Sequence, residues 1–143
     1  MKPSSKSFDI IVIGGGHAGI EAAQIAGTLG ACVGLVTLDV SSLGRMSCNP
    51  AIGGLAKGQM VREIDVLGGI MGRAADKSGL QFKLLNKSKG KSVWSPRAQV
   101  DKRQYEKTVS GAVSSHKNVK IIENEVVGLK IKNHVVCGVV FRS

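Results

Sequence analysis

Three groups of residues in this chain have the types and spacing to do chemistry. The first is Gly14-Gly15-Gly16-His17-Ala18-Gly19, in which Gly14, Gly16 and Gly19 form G-x-G-x-x-G. The first glycine of such a series permits a tight turn. The second lets backbone N–H groups approach a pyrophosphate, and the third lets a helix lie close to a strand. The second group is Ser47-Cys48-Asn49, a thiol between two hydrogen-bonding side chains, just before Pro50. The third is a basic series, Lys83, Lys87, Lys89, Lys91, Arg97, Lys102 and Arg103. Such a series suits phosphate contact and counterion release on a polyanion.

These groups need elements to position them. Phe8 to Ile13 is a short apolar, β-branched run, as expected of a buried parallel strand. His17 to Leu29 reads as a helix with small residues on the face that must lie near a sheet, and Gly30 is placed to end it. Ala31 to Leu38 is a second apolar run, a strand parallel to the first. Strand, glycine turn, helix and strand together make the motif a nucleotide-binding hypothesis, with phosphates at the helix N-terminus. His17 either touches a phosphate there or fills space. In many such domains an acidic residue ends the second strand and binds the ribose. The usual position falls here on Thr37, with Asp39 two residues beyond. The contact then passes to the Thr37 hydroxyl or to Asp39 reaching around. No basic residue stands there to favour a 2′-phosphate.

Beyond the second strand, Ser41 to Gly54 reads as an ordered loop rich in glycine. Lys57 to Leu67 reads as a helix stopped by Gly68-Gly69. Ile70 to Leu85 is mixed in character, and Asn86 to Ser95 is polar and basic. Arg97 to Val113, preceded by Pro96, reads as a helix, and Val119 to Ile122 as a third strand. Glu125 to Ile131 and Val135 to Phe141 form a hairpin around Lys132-Asn133-His134. The expected fold is α/β: a Rossmann-like domain over residues 1–143, with a parallel sheet and an added β-hairpin. A long insertion, about 41–96, lies between strands two and three. Long insertions rich in glycine and charge tend to carry function.

Composition narrows the class. The chain has 143 residues, 43% hydrophobic and 21% charged, which fits a globular domain with a real core. No apolar run approaches the length of a membrane span, so no membrane role is expected. The leader Met1 to Ser7 is too short and polar for a signal peptide. Cys32, Cys48 and Cys137 are odd in number and form no C-x-x-C, which fits a reducing compartment and a cytoplasmic location. No metal site is expected. Cys32 and Cys137 read as core residues. Cys48 reads either as a small buried thiol or as a reactive one whose pKa is lowered by Arg45 or Lys57. The net charge is +10, and Arg45 to Lys107 holds 13 Lys/Arg against five Asp/Glu. Such a patch either attracts polyanions or is a solvated face. Phe82, Trp94 and Tyr105 are the only aromatics interleaved with it, which favours phosphate contact over base stacking.

The segment Arg45-Met-Ser-Cys-Asn-Pro-Ala-Ile-Gly-Gly-Leu-Ala-Lys-Gly58 is far more specific than the glycine motif. It resembles the tRNA uridine 5-carboxymethylaminomethyl modification enzymes, the MnmG (GidA) flavoprotein family. Gly14 to Ala23, Glu63 to Gly69, Gln81-Phe82, Leu84 to Asn86, Ser88 to Gly90 and Arg97 to Gln99 continue the pattern. Trp94-Ser95-Pro96 departs from it, where the family carries small, basic and threonine residues. The resemblance implies FAD as cofactor, NADH as reductant and a folate one-carbon donor. It implies tRNA as substrate, modified at C5 of the wobble uridine, a GTPase partner (MnmE) and a homodimer. By the resemblance, Gly14 to Gly19 hold the FAD pyrophosphate and Val126 faces the adenine through its backbone. Ser47, Cys48 and Asn49 lie on a loop that approaches the flavin, with Asn49 bonded to the isoalloxazine edge and Cys48 the catalytic candidate. The family protein is several times longer than this chain. The expectation is therefore an N-terminal part, incomplete at its C-terminus and inactive alone. Two alternatives remain: another flavin or NAD oxidoreductase, such as a folate-dependent tRNA methyltransferase flavoprotein, and a non-catalytic basic fragment that binds nucleic acid. The Ser47 to Gly54 loop argues against the methyltransferase.

Overall fold

The computed structural model describes residues 7–143; the remainder of the polar leader, residues 1–6, lies outside the described residues. The chain divides into two units. One comprises the residues up to Leu43 together with Lys117–Ser143; the other is Gly44–His116.

The first unit is built on a parallel sheet. Strand β1 (Ile10–Ile13) leads through helix α1 (His17–Thr28) to β2 (Val33–Thr37). Strand β6 (Val119–Glu123) joins on the far side of β2, in the order β1-β2-β6. Registers run Ile10↔Val33 to Ile13↔Val36 and Val33↔Val119 to Thr37↔Glu123, all parallel. Val33, Leu35 and Val36 are fully buried, as the central strand of a parallel sheet requires. Ile20, Ala23 and Gly27 are the buried residues of α1, on one helical face. The helix ends as its glycine implies. Gly30 (φ +99) donates to Gly27 O and Ala31 to Ala26 O, a Schellman pair that satisfies two terminal carbonyls. The α/β architecture with its parallel sheet is thus the expected one, but β1 is not buried. It is an edge strand, and Ile10 and Ile13 are 42% and 55% exposed, because no further strand flanks it among the described residues.

Strands β7 (Val126–Lys132) and β8 (Val135–Phe141) form the expected hairpin as a separate two-stranded sheet. Asn133 and His134 both have positive φ, the pattern of a type I′ turn, whose twist matches the flanking strands. Cys137 is exposed here, not in a core, because neither face of this hairpin is deeply covered. Cys32 is also exposed, just ahead of β2, where its N–H donates to Asp9 Oδ2 at 2.7 Å.

The second unit has its own sheet, antiparallel, in the order β3-β5-β4. Its strands are β3 (Ala51–Gly53), β4 (Gly79–Leu85) and β5 (Ser95–Val100). Two sequence expectations fail here. The glycine-rich loop ends in a strand, because Ala51-Ile-Gly53 finds β5 as a partner. The expected helix over Arg97 to Val113 is instead β5 followed by α4 (Lys102–Ser114). Strand pairing on both sides of β5 overrides the helix-forming residues Arg97, Ala98 and Gln99. The true start of α4 is Asp101, whose carboxylate accepts from Gln104 N–H at 2.8 Å. Helix α2 (Lys57–Val66) ends at Gly68 (φ +90) in a second Schellman pair. Helix α3 (Met71–Ser78) packs beside α4, whose Tyr105, Val109 and Val113 recur every fourth residue and are buried.

Candidate functional site

The glycine turn of the first unit is shaped by close backbone approach. Gly14 has φ +110, a value open to glycine and rarely to other residues, and donates to Val36 O at 2.8 Å. A Cβ at Gly19 would collide with the carbonyl oxygen of Gly14, so the helix lies as close to the turn as the chain allows. A Cβ at Gly15 would stand 2.6 Å from Leu43 Cδ2 and 2.9 Å from Thr37 Oγ1. At Gly14 and Gly16, by contrast, no described residue beyond the adjacent ones comes within 4 Å of where a Cβ would be. Gly16 is the N-cap of α1, which has no side-chain cap and no acidic residue in its first turn. His17 and Ala18 begin that turn. The helix therefore offers N–H donors and a positive dipole end into open space beside the glycines. These residues fit the pyrophosphate of a dinucleotide such as FAD, whose phosphates would occupy the space a side chain would fill.

The ribose end differs from what the sequence suggested. Thr37 is 6% exposed and its hydroxyl donates to Asp39 O at 3.3 Å. The Asp39 carboxylate accepts from Ser41 N–H at 2.7 Å, capping the 3₁₀ turn Val40–Ser42. Both candidates are thus engaged locally. Sequence reasoning missed Glu123, which stands opposite Thr37 in the register and accepts from Val40 N–H at 2.9 Å. It is exposed at the C-terminal edge of the sheet, where ligands of open α/β folds bind. The signal available was a carboxylate closing the run Val119-Lys-Ile-Ile122. Val126, half-buried, opens β7 and pairs with Phe141.

The Ser47-Cys48-Asn49 loop belongs to the second unit. Ser47 Oγ donates to Asn49 O at 3.1 Å, and Asn49 O also accepts from Ala51 N–H at 2.8 Å. Met46 N–H donates to Glu106 Oε1 of α4 at 2.8 Å, anchoring the loop. All of Ser47, Cys48 and Asn49 are exposed, so the buried-thiol reading of Cys48 is wrong. Ser47 and Ala51 thus close the turn on one carbonyl, with the Ser47 hydroxyl used inside the loop. Among the described residues no cluster of His, Cys, Asp and Glu is arranged to hold a metal.

The basic residues sit on three parts of the second unit. Lys83 of β4 and Arg97 of β5 face each other in register. Lys87, Lys89 and Lys91 lie on two 3₁₀ turns, Lys87–Lys89 and Lys91–Val93, and are exposed. Trp94 Nε1 donates to Lys87 O at 3.3 Å and so ties these turns together. Lys102 and Arg103 open α4, where the helix dipole disfavours positive charge. The departing residue Ser95 is fully buried and its hydroxyl donates to Gly54 O. The unusual Trp94-Ser95-Pro96 segment is thereby built into the sheet.

Residues 9–143 match the family model described as glucose inhibited division protein A. The chain belongs to this family. It is 54% identical over 132 residues to the tRNA uridine 5-carboxymethylaminomethyl modification enzyme MnmG of Aquifex aeolicus, covering 92% of this chain and 21% of that protein. It is also similar to the crystal structure of Aquifex aeolicus GidA, with TM-score 0.91 and 51% identity over 96% of this chain and 23% of that one. The chain thus spans about a fifth of the length of the curated relatives it matches. A probable FAD-dependent monooxygenase from Pseudomonas aeruginosa, 13% identical, has the same fold at TM-score 0.61 over 94% of this chain and 38% of that one. Among the described residues of this GidA-family chain, no helix is long and apolar enough to cross a membrane.

Proposed function

We propose that this chain is the N-terminal, FAD-binding part of a tRNA-modifying enzyme that adds a carboxymethylaminomethyl-type group at C5 of the wobble uridine. The observation that carries the reading is the open glycine turn at the uncapped start of α1, in a chain about half identical to enzymes named for that modification. In this reading Gly14, Gly15, Gly16, His17, Ala18 and Gly19 hold the pyrophosphate, and Val126 meets the adenine through its backbone. Thr37 closes the ribose side, where its own hydroxyl is turned toward Asp39. Bound FAD supplies electron-transfer and carbon-carrier chemistry. By the resemblance, the loop of Ser47, Cys48 and Asn49 approaches the flavin, with the Asn49 amide and the Cys48 thiol as the groups it brings; the Ser47 hydroxyl holds the loop's turn. Lys83, Lys87, Lys89, Lys91, Arg97, Lys102 and Arg103 contact tRNA phosphates. NADH serves as reductant, and a GTPase of the MnmE type is the partner of a homodimeric, cytoplasmic enzyme.

The test is made on the full-length protein. It should purify with flavin absorbance and, with NADH, a one-carbon donor and the GTPase, convert wobble uridine in unmodified tRNA, read by nucleoside mass spectrometry. A protein that binds no flavin and leaves the uridine unchanged would sink this reading.

A further inference from the structure

The antiparallel sheet of the second unit has one face turned away from α2 and α3, and that face is unlike an ordinary solvated surface. Strand alternation puts Gln81 and Lys83 of β4 on it, with Arg97 and Gln99 of β5. The register sets Gln81 opposite Gln99 and Lys83 opposite Arg97. With Leu85 these four side chains line a groove of about 280 Å³. No carboxylate lines it. Lys83 and Arg97 form no ion pair, and none of the four side chains makes a hydrogen bond, among the described residues. Arg97 and Gln99 are half-buried.

Like charges directly opposite on a sheet are destabilising. Asp65 and Asp76 line a neighbouring cavity that Lys83 and Arg97 also border, but neither pairs with them among the described residues. A folded protein that keeps such a pair, with no carboxylate in the groove itself, gains from an anion between them. The guanidinium fork suits two oxygens of one oxyanion, and the lysine adds a point charge. The two amides decide what else the ligand carries. Each presents one acceptor oxygen and two N–H donors, so a bare phosphate would leave both carbonyl oxygens idle. A nucleobase edge alternates carbonyl acceptors with an N–H donor and uses both functions of an amide. The groove is too small for a dinucleotide and of a size for one nucleotide or less.

We propose that this groove is a binding site for a single pyrimidine nucleotide, its phosphate held by Arg97 and Lys83 and its base edge read by Gln81 and Gln99. This rests on the tRNA-modifying reading above and locates within it a site for an extruded uridine. Extrusion exposes the edge that hydrogen-bonding side chains read in single-stranded RNA.

The experiment titrates the full-length protein with uridine 5′-monophosphate, ribose 5-phosphate and inorganic phosphate by calorimetry. Uridine 5′-monophosphate should bind roughly tenfold tighter than ribose 5-phosphate, the order of discrimination expected of one paired amide. Arg97→Gln should weaken all three. Gln81→Leu with Gln99→Leu should erase the advantage of the nucleotide and leave ribose 5-phosphate unchanged. Equal affinity for uridine 5′-monophosphate and ribose 5-phosphate in the unaltered protein would overturn the site, and needs no variant to fold. The two readings fail separately. Wild-type tRNA modification with an unchanged KM in the double leucine variant would remove the groove and leave the enzyme. An unaltered protein that modifies no tRNA would remove the enzyme, while the titration still decides the groove.

Discussion

The carbonyl oxygen of Gly14 occupies the place where a side chain at Gly19 would begin. The turn and the first helix are locked together by that approach, whereas Gly16, three residues earlier, faces open space. Two glycines of one motif therefore do different jobs. Gly19→Ala should destabilise the first unit by about 1–3 kcal/mol, the usual cost of forcing a methyl into a packed place. Gly16 has φ −75, which alanine adopts freely. Gly16→Ala should leave the thermal midpoint of the flavin-free protein unchanged and lower flavin retention. Thermal unfolding of both variants, with the flavin-to-protein absorbance ratio, separates the roles. Equal midpoints for the two variants would count against the packing role of Gly19.

Cys48 is exposed on a loop whose turn is held by Ser47 and the carbonyl of Asn49, not by the thiol. Cys48→Ser should leave the unfolding free energy within about 0.5 kcal/mol of the parent, as surface substitutions do. In the full-length enzyme it should keep FAD and lose uridine modification. Retained turnover, measured on unmodified tRNA, would strip Cys48 of a chemical role.

The parallel core was legible because its signals are local and agree. Phe8 to Ile13, the glycine turn and Gly30 mark one β-α-β unit, and Asn133 with His134 mark the hairpin turn. The antiparallel sheet was not legible, because what makes Ser95–Val100 a strand is its neighbours. Arg97, Ala98 and Gln99 favour a helix in isolation, and Pro96 imitates a helix start. Only pairing with β3 and β4 decides otherwise. One signal was available: Asp101 followed by Gln104 has the spacing of an N-cap and its third helical residue. The groove was legible only as charge. That Lys83 meets Arg97 and Gln81 meets Gln99 depends on a register shifted by the irregularity between Gly79 and Gln81.

The Asp101 cap carries its own prediction. Its carboxylate accepts from Gln104 N–H, and its backbone N–H donates to Ser78 O, which ties the start of α4 to the end of α3. Asp101→Ala should cost about 1 kcal/mol, the typical loss of a capping side chain. Asp101→Asn should recover most of it, since the amide oxygen can still accept. Chemical denaturation of the three proteins gives the comparison. A loss in Asp101→Asn equal to that in Asp101→Ala would show that charge beside Lys102 and Arg103, and not the cap, sets the stability.

Lys87, Lys89 and Lys91 project from two short turns with no carboxylate bonded to any of them among the described residues. The turns are held from within by Trp94 Nε1 on Lys87 O and by Asn86 Nδ2 on Val93 O, so the lysine side chains are not needed to fold them. Replacing all three with alanine should therefore spare stability and flavin binding. Each phosphate neutralised by a lysine contributes about 0.7–0.9 units to the slope of log affinity against log salt. Without these three ammonium groups the slope for tRNA should flatten by about 2–3 units, and binding should weaken most at low salt. Affinity measured between low and physiological salt for the parent and the triple variant tests this. A slope that stays the same would mean that these lysines touch no phosphate, and would leave Lys83, Arg97, Lys102 and Arg103 as the residues that do.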